Sequence, residues 1–112
     1  MPKHKRSPCP ASCVLDILGD KWTLLVVRDL LLGKSTYKEF QDSPEGIPTN
    51  ILADRLKRLE SEKIVSKNPY QQKPVRYTYQ LTRKGKELST VIKAMVKWGN
   101  KHIPGTLKPG EI

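Results

Sequence analysis

The chain lacks any long apolar run. The longest, Leu24–Val27, falls far short of the ~20 residues that cross a bilayer, so no membrane span is expected. The basic start, Met1 to Pro8, has no apolar stretch behind it and does not read as a secretory signal. Cysteine is scarce: Cys9 and Cys13 cannot build a disulfide framework, which points to the reducing cytoplasm. The glycines form no phosphate-cradling loop, and there is neither a Ser/His/Asp constellation nor a paired-carboxylate site, so no enzyme is expected. The two thiols, with His4 in a tail and His102 remote, lack a second ligand pair, so neither a metal nor another cofactor is expected. Internal repeats are also missing.

What is abundant is positive charge. The 112 residues carry 21 Lys+Arg against 11 Asp+Glu, a formal net charge of +10. The excess is uneven: it lies at the two ends and in residues 64–80, which hold Lys67, Lys73 and Arg76 and no acid. A basic chain of this size usually meets a polyanion, most often nucleic acid. One domain is the expectation at this length, and so small a core gains from burying more surface in a dimer. Residues 1–8 read as a flexible basic tail, 9–103 as the domain and 104–112, with Pro104-Gly105 and Pro109-Gly110, as a second tail.

Between the tails the apolar period changes in a definite order. Ser12 to Leu18 predicts a short helix with Val14, Leu15 and Leu18 on one stripe. Asp20 caps a second, Lys21 to Leu32, apolar nearly all round and therefore central. Ser35 or Thr36 caps a third, with Tyr37 and Phe40 inward. A fourth starts near Pro48 and runs to about Glu62, its inward stripe being Leu52, Leu56 and Leu59. Ile64 to Asn68 and Arg76 to Leu81 read as two strands joined by a polar loop. Thr82 caps one last helix with the stripe Leu88, Val91, Ile92, Met95 and Trp98. That stripe has no evident partner within the fold and is expected to pack, at least in part, on a second copy. The fold class is thus α+β, mainly α: a winged helix-turn-helix with extra N- and C-terminal dimerisation helices, its wing at Asn68 to Arg76.

The blocks Cys9-Pro10, Leu15 to Trp22, Leu25 to Arg28, Leu30 to Gly33, Gly46-Ile47, Leu52 to Glu60, Arg76 to Thr82 and Lys84-Gly85, in that order, resemble the HxlR-type regulators. The resemblance implies a bacterial, dimeric, winged-helix transcription regulator related to the broader MarR group. It also implies dimerisation through the first and last helices, which would bring Val14, Leu15 and Leu18 to the interface beside the last-helix stripe. A cysteine at the place of Cys9 serves some members in sensing oxidants or electrophiles. Pro48, where a polar cap is common, and the second thiol, Cys13, depart from the pattern.

Each candidate residue has a reason in chemistry. Thr49 and Asn50 sit in the first turn of the fourth helix, where recognition helices meet bases, and an Asn amide pairs bidentately with adenine. Arg55, Lys57 and Arg58 are suited to phosphate or guanine, and Asp54 to orienting a cation or accepting from a cytosine amine. The bland alternative is a solvated, ion-paired face. Lys73 and Arg76 flank Pro74-Val75 at the hairpin tip and suit a minor groove, unless Arg76 is a strand residue paired with an acid. Ser35, Thr36 and Lys38 offer hydroxyls, free amides and a cation to a phosphate. Cys9 ahead of Pro10 lies at a helix start, where a thiolate is favoured, and Cys13 is its candidate resolving thiol; the alternative is two small packing residues. The expected partners are double-stranded DNA and a second copy, with a small-molecule or oxidant effector open. A protein-interaction module and a non-specific architectural DNA binder are the other readings.

Overall fold

The computed structural model describes residues 6–108. Its elements in chain order are α1 (Pro10–Leu18), α2 (Thr23–Leu31), α3 (Tyr37–Gln41), α4 (Thr49–Ser61), β1 (Val65–Gln72), β2 (Val75–Leu81), α5 (Arg83–Lys86) and α6 (Ser89–His102). Four helices, an antiparallel hairpin and a closing helical pair make a winged helix-turn-helix, with α3 and α4 as the helix pair.

The core is built from the expected stripes. Leu52, Leu56 and Leu59 of α4 are at most 1% exposed and meet Val26, Val27 and Leu30 of α2 and Phe40 of α3. Two turns depend on glycine: Gly33 (φ 98°) ends the α2 segment and Gly46 (φ 65°) bends the chain between α3 and α4. Thr36 caps α3 in a reciprocal capping box with Glu39, which settles the choice left open between Ser35 and Thr36. Pro48 stands at the cap position itself, one place ahead of the helix it was expected to open.

The hairpin is more extensively paired than the sequence suggested. Backbone pairing runs from Val65↔Leu81 to Gln72↔Val75, so the expected loop Pro69–Val75 is mostly strand; a bulge between Pro69 and Gln71 absorbs the irregular stretch. The Tyr79 amide donates to the Ser35 carbonyl at 2.8 Å, and the Tyr79 ring packs against Tyr37 and Phe40. These contacts fix the wing to the start of α3.

The single last helix is in fact two. Thr82 accepts from the Gly85 amide at 3.1 Å and caps only α5, after which α6 starts at Ser89. Gly85 allows the close approach of α5 to Ile64, just ahead of β1: a Cβ there would lie 2.2 Å from the Ile64 carbonyl oxygen. Contacts are present near both ends of the described residues. Arg6 binds Asp16 at 2.6 Å, Ser7 accepts from the Cys9 amide, and Asn100 donates to Thr106 at 3.0 Å. Residues 1–5 and 109–112 of the two expected tails lie outside the described residues.

Candidate nucleic-acid interface

Helix α4 divides cleanly into an aliphatic and a polar face. Thr49 and Asn50 are exposed in its first turn. Gln41 donates to the Thr49 hydroxyl at 2.6 Å, joining α3 to α4, whereas the Asn50 amide bonds no described residue. Lys57 is exposed and pairs with no described carboxylate.

Arg55 and Arg58, expected on phosphate or guanine, are ion-paired within the chain. Arg55 Nε donates to Asp20 Oδ2 at 2.8 Å, and Arg58 Nη1 reaches Asp20 Oδ1 at 3.2 Å and the Ile17 carbonyl at 3.5 Å. Asp54 pairs with Arg55 and lies 3.9 Å from Arg58. The physical reason is local: Asp20 sits at the elbow between α1 and α2, where its carboxylate also accepts from the Trp22 and Thr23 amides and from the Thr23 hydroxyl. Burial pushes the Asp20 carboxyl up, but the Thr23 hydroxyl, the Arg55 guanidinium and the Trp22 amide outweigh it and hold the group below the usual carboxylate range. The hydrogen bond to Asp20 raises Arg55 correspondingly.

The expected phosphate site at the start of α3 is already filled. The Ser35 and Thr36 amides both donate to Glu39 Oε1, at 2.8 and 3.1 Å, and both hydroxyls lie 3.3 Å from the same oxygen. Those amides hold the Glu39 carboxyl low. Lys38 alone of the three candidates is left exposed and pairs with no described acid.

On the hairpin, Lys73 and Arg76 are exposed and Arg76 meets no described carboxylate. An open groove of about 720 Å³ separates the hairpin from α3, bordered by Lys38, Lys67 and Arg76 with Tyr37, Tyr70 and Tyr77 between them. A second groove of about 540 Å³ shares Tyr37, Lys67 and Tyr79 with it and ends at Lys57 and Glu60 on α4. A cationic track therefore joins α4 to the wing. Lys67, a cation of the acid-free stretch 64–80 but not among the candidate site residues, is a further member; its ammonium lies 4.3 Å from the Tyr77 ring centroid and 3.8 Å from Glu60.

A second network, missed from the sequence, braces the turn behind α4. Arg28 holds Glu45 through two hydrogen bonds of 2.8 and 2.9 Å and Asp29 at 2.9 Å. The Ser43 hydroxyl donates to buried Asp29 at 2.6 Å, and Lys34 donates to Ser43. The available signal was a charged pair, Arg28-Asp29, inside an otherwise apolar helix, because a buried charge needs partners.

The residues expected at a dimer interface separate into two groups. Val14, Leu15, Val91, Met95 and Trp98 are exposed, Trp98 by 62%, and Ile103 extends the α6 face. Leu18 is 5% exposed in the core, and the half-buried Leu88 and Ile92 pack against that core. Their side of each helix turns inward, one stripe being too wide for a single surface. Cys9 stands at the cap of α1, exposed, and Cys13 is partly buried with its sulfur 3.6 Å from the Ser7 carbonyl. Both thiols are free. Arg6, near Cys9 in sequence, is committed to Asp16. No group of three potential metal ligands occurs among the described residues, and no helix of theirs is long and apolar enough to cross a membrane.

The geometry defines the class: a basic winged helix-turn-helix with an exposed polar helix and a cationic hairpin. The chain belongs to the HxlR-like helix-turn-helix family, which matches residues 17–106, and this is a family of transcriptional regulators. It is 37% identical over 92 residues to an uncharacterised helix-turn-helix transcriptional regulator of Synechocystis, covering 82% of this chain and 68% of that one. The transcriptional regulator YodB of Bacillus subtilis is 33% identical, over 82% of this chain and 83% of its own. Reduced YodB matches this fold with a TM-score of 0.70 at 30% identity, covering 90% of this chain and 100% of YodB. The redox regulator HypR in its reduced form matches with a TM-score of 0.77 at 29% identity, over 85% and 94%.

Proposed function

We propose that this chain acts as a homodimeric, sequence-specific DNA-binding regulator. Asn50 and Thr49 read bases in the major groove, Lys38, Lys57 and Lys67 follow the backbone, and Lys73 and Arg76 lie beside the minor groove. The carrying observation is the cationic track from α4 to the hairpin, with an unengaged Asn50 amide at the start of α4. The exposed apolar face of α6 supports pairing with a second copy. Two α4 helices would then enter successive major grooves about 34–36 Å apart on a roughly palindromic operator.

A thiol-controlled form of this reading is favoured by one position. Cys9 is exposed at the cap of α1, ahead of the helix that adjoins the expected pairing surface, and the relatives include a redox regulator.

The test is fluorescence anisotropy with duplex from upstream of the chain's own gene against a scrambled duplex, over a salt series, before and after diamide. Selective binding that falls steeply with salt supports the reading. Loss on oxidation in the wild type, but not in Cys9→Ser, supports thiol control. Equal binding to both duplexes indicates an architectural protein, and no binding at low salt a protein-interaction module.

A further inference from the structure

The ion pairs of α4 form a closed set. Arg55 and Arg58 face Asp20 and Asp54, two cations against two anions, so the group contributes no net charge to the surface it borders. Glu60 lies near Lys67. Of the cations on α4, only Lys57 is without a described carboxylate partner. The anchoring acid lies outside the helix-turn-helix, and the Trp22 and Thr23 amides fix it to the start of α2. An arginine that swings toward a phosphate leaves a partly buried carboxylate short of a partner, a loss that opposes the exchange.

We propose that Asp20 is a positioning residue for DNA recognition: it seats Arg55 and Arg58 against the α1–α2 elbow and withholds both from phosphate. The inference rests on the DNA-binding reading above. Its consequence follows from how the two kinds of affinity arise. Non-specific binding scales with the number of phosphates neutralised, whereas base readout by Asn50 does not. Keeping two guanidiniums paired internally lowers attraction to any duplex and leaves the reader in place, so base contacts supply a larger share of the total binding.

The substitution that tests this is Asp20→Asn, which keeps an oxygen for the Trp22 and Thr23 amides and removes the charge. Salt-dependent anisotropy is measured on operator and scrambled duplexes. The slope of log affinity against log salt should steepen by about 1 to 2, at about 0.9 per phosphate contact. Scrambled and operator duplexes should gain affinity by about the same factor, and Asp20→Glu should restore the wild-type slope. Lys57→Ala calibrates the assay, with an expected loss of about 1 in slope. An unchanged slope in folded Asp20→Asn overturns the inference while wild-type binding leaves the DNA-binding reading intact. Wild type that binds no duplex overturns both. If Asp20→Asn does not fold, Arg58→Gln decides: an unchanged slope supports withholding, and a loss of about 1 shows Arg58 on phosphate.

Discussion

Helices α4 and α6 are alike in length, 13 and 14 residues, and each carries one apolar stripe, yet they end in opposite situations. The α4 stripe is covered by its own chain, with Leu52, Leu56 and Leu59 almost wholly buried. Helix α6 buries no residue completely, and Met95 and Trp98 remain more than half exposed. Amphipathicity states that a face needs covering; it does not say by what. For α4 the answer lies within the chain, through α2 and α3. For α6, in the dimer proposed above, most of the answer lies in the second copy.

The largest test of that contrast is Leu56→Ala, which should cost about 2–5 kcal/mol by lost burial plus a residual cavity. A lowered urea midpoint checks it, and a midpoint within error of the wild type would break the comparison. Trp98→Ala should act on association instead. Sedimentation equilibrium should show at least a ~10-fold weaker dimer, equivalent to about 1.4 kcal/mol, as expected for a large aromatic anchor at an interface. Unchanged association would remove α6 from the pairing surface.

Acid should loosen the attachment of α4 to the elbow. The Asp20 carboxyl is held below its ordinary value of 3.8, so its contribution is complete above about pH 4 and fades as the pH falls through the lower folded value. Urea midpoints of wild type and Asp20→Asn should therefore converge as the solution is acidified below pH 4. Parallel profiles would show that the carboxylate charge adds nothing to the hold on α4. The smallest expected effect is at Lys63, which follows α4 in a left-handed conformation (φ 60°). Lys63→Gly should stabilise the chain by up to ~1 kcal/mol, because glycine adopts this conformation without the Cβ clash. A thermal melt unchanged or lowered in that variant would show the strain to be offset by lost backbone freedom in glycine.

Much of this arrangement is legible from spacing. The leucine stripe of α4, the order of the elements and the alternation Tyr77, Tyr79, Leu81 all follow from local periodicity. Asp20 shows where reading stops. It was expected to cap a helix from Lys21; the helix starts at Thr23 with Trp22 at the cap position, and Asp20 accepts from the Trp22 and Thr23 amides instead. Its partners in α4 are 35 and 38 residues distant, and only the folded chain brings them together. Glu39 is a different kind of miss. The spacing from Thr36 is that of a capping box, and applying it would have shown that the amides offered to phosphate were already taken. The hairpin was underestimated because Pro69 and the run Tyr70-Gln71-Gln72 lack alternation, although their backbones still pair around a bulge. The break between α5 and α6 was hidden because Leu88 continues the apolar spacing across it.

The pairing of Arg55 and Arg58 with an acid outside the helix-turn-helix also bears on protein engineering. A helix moved into another scaffold to transfer its sequence preference is treated as a self-contained cassette. Residues 49–61 of this chain are not one. Grafted without an equivalent of Asp20, they would arrive with two arginines and only Asp54 to face them, and the recipient would acquire general stickiness for polyanions along with the intended readout. The transferable unit runs from the elbow at Asp20 through Ser61.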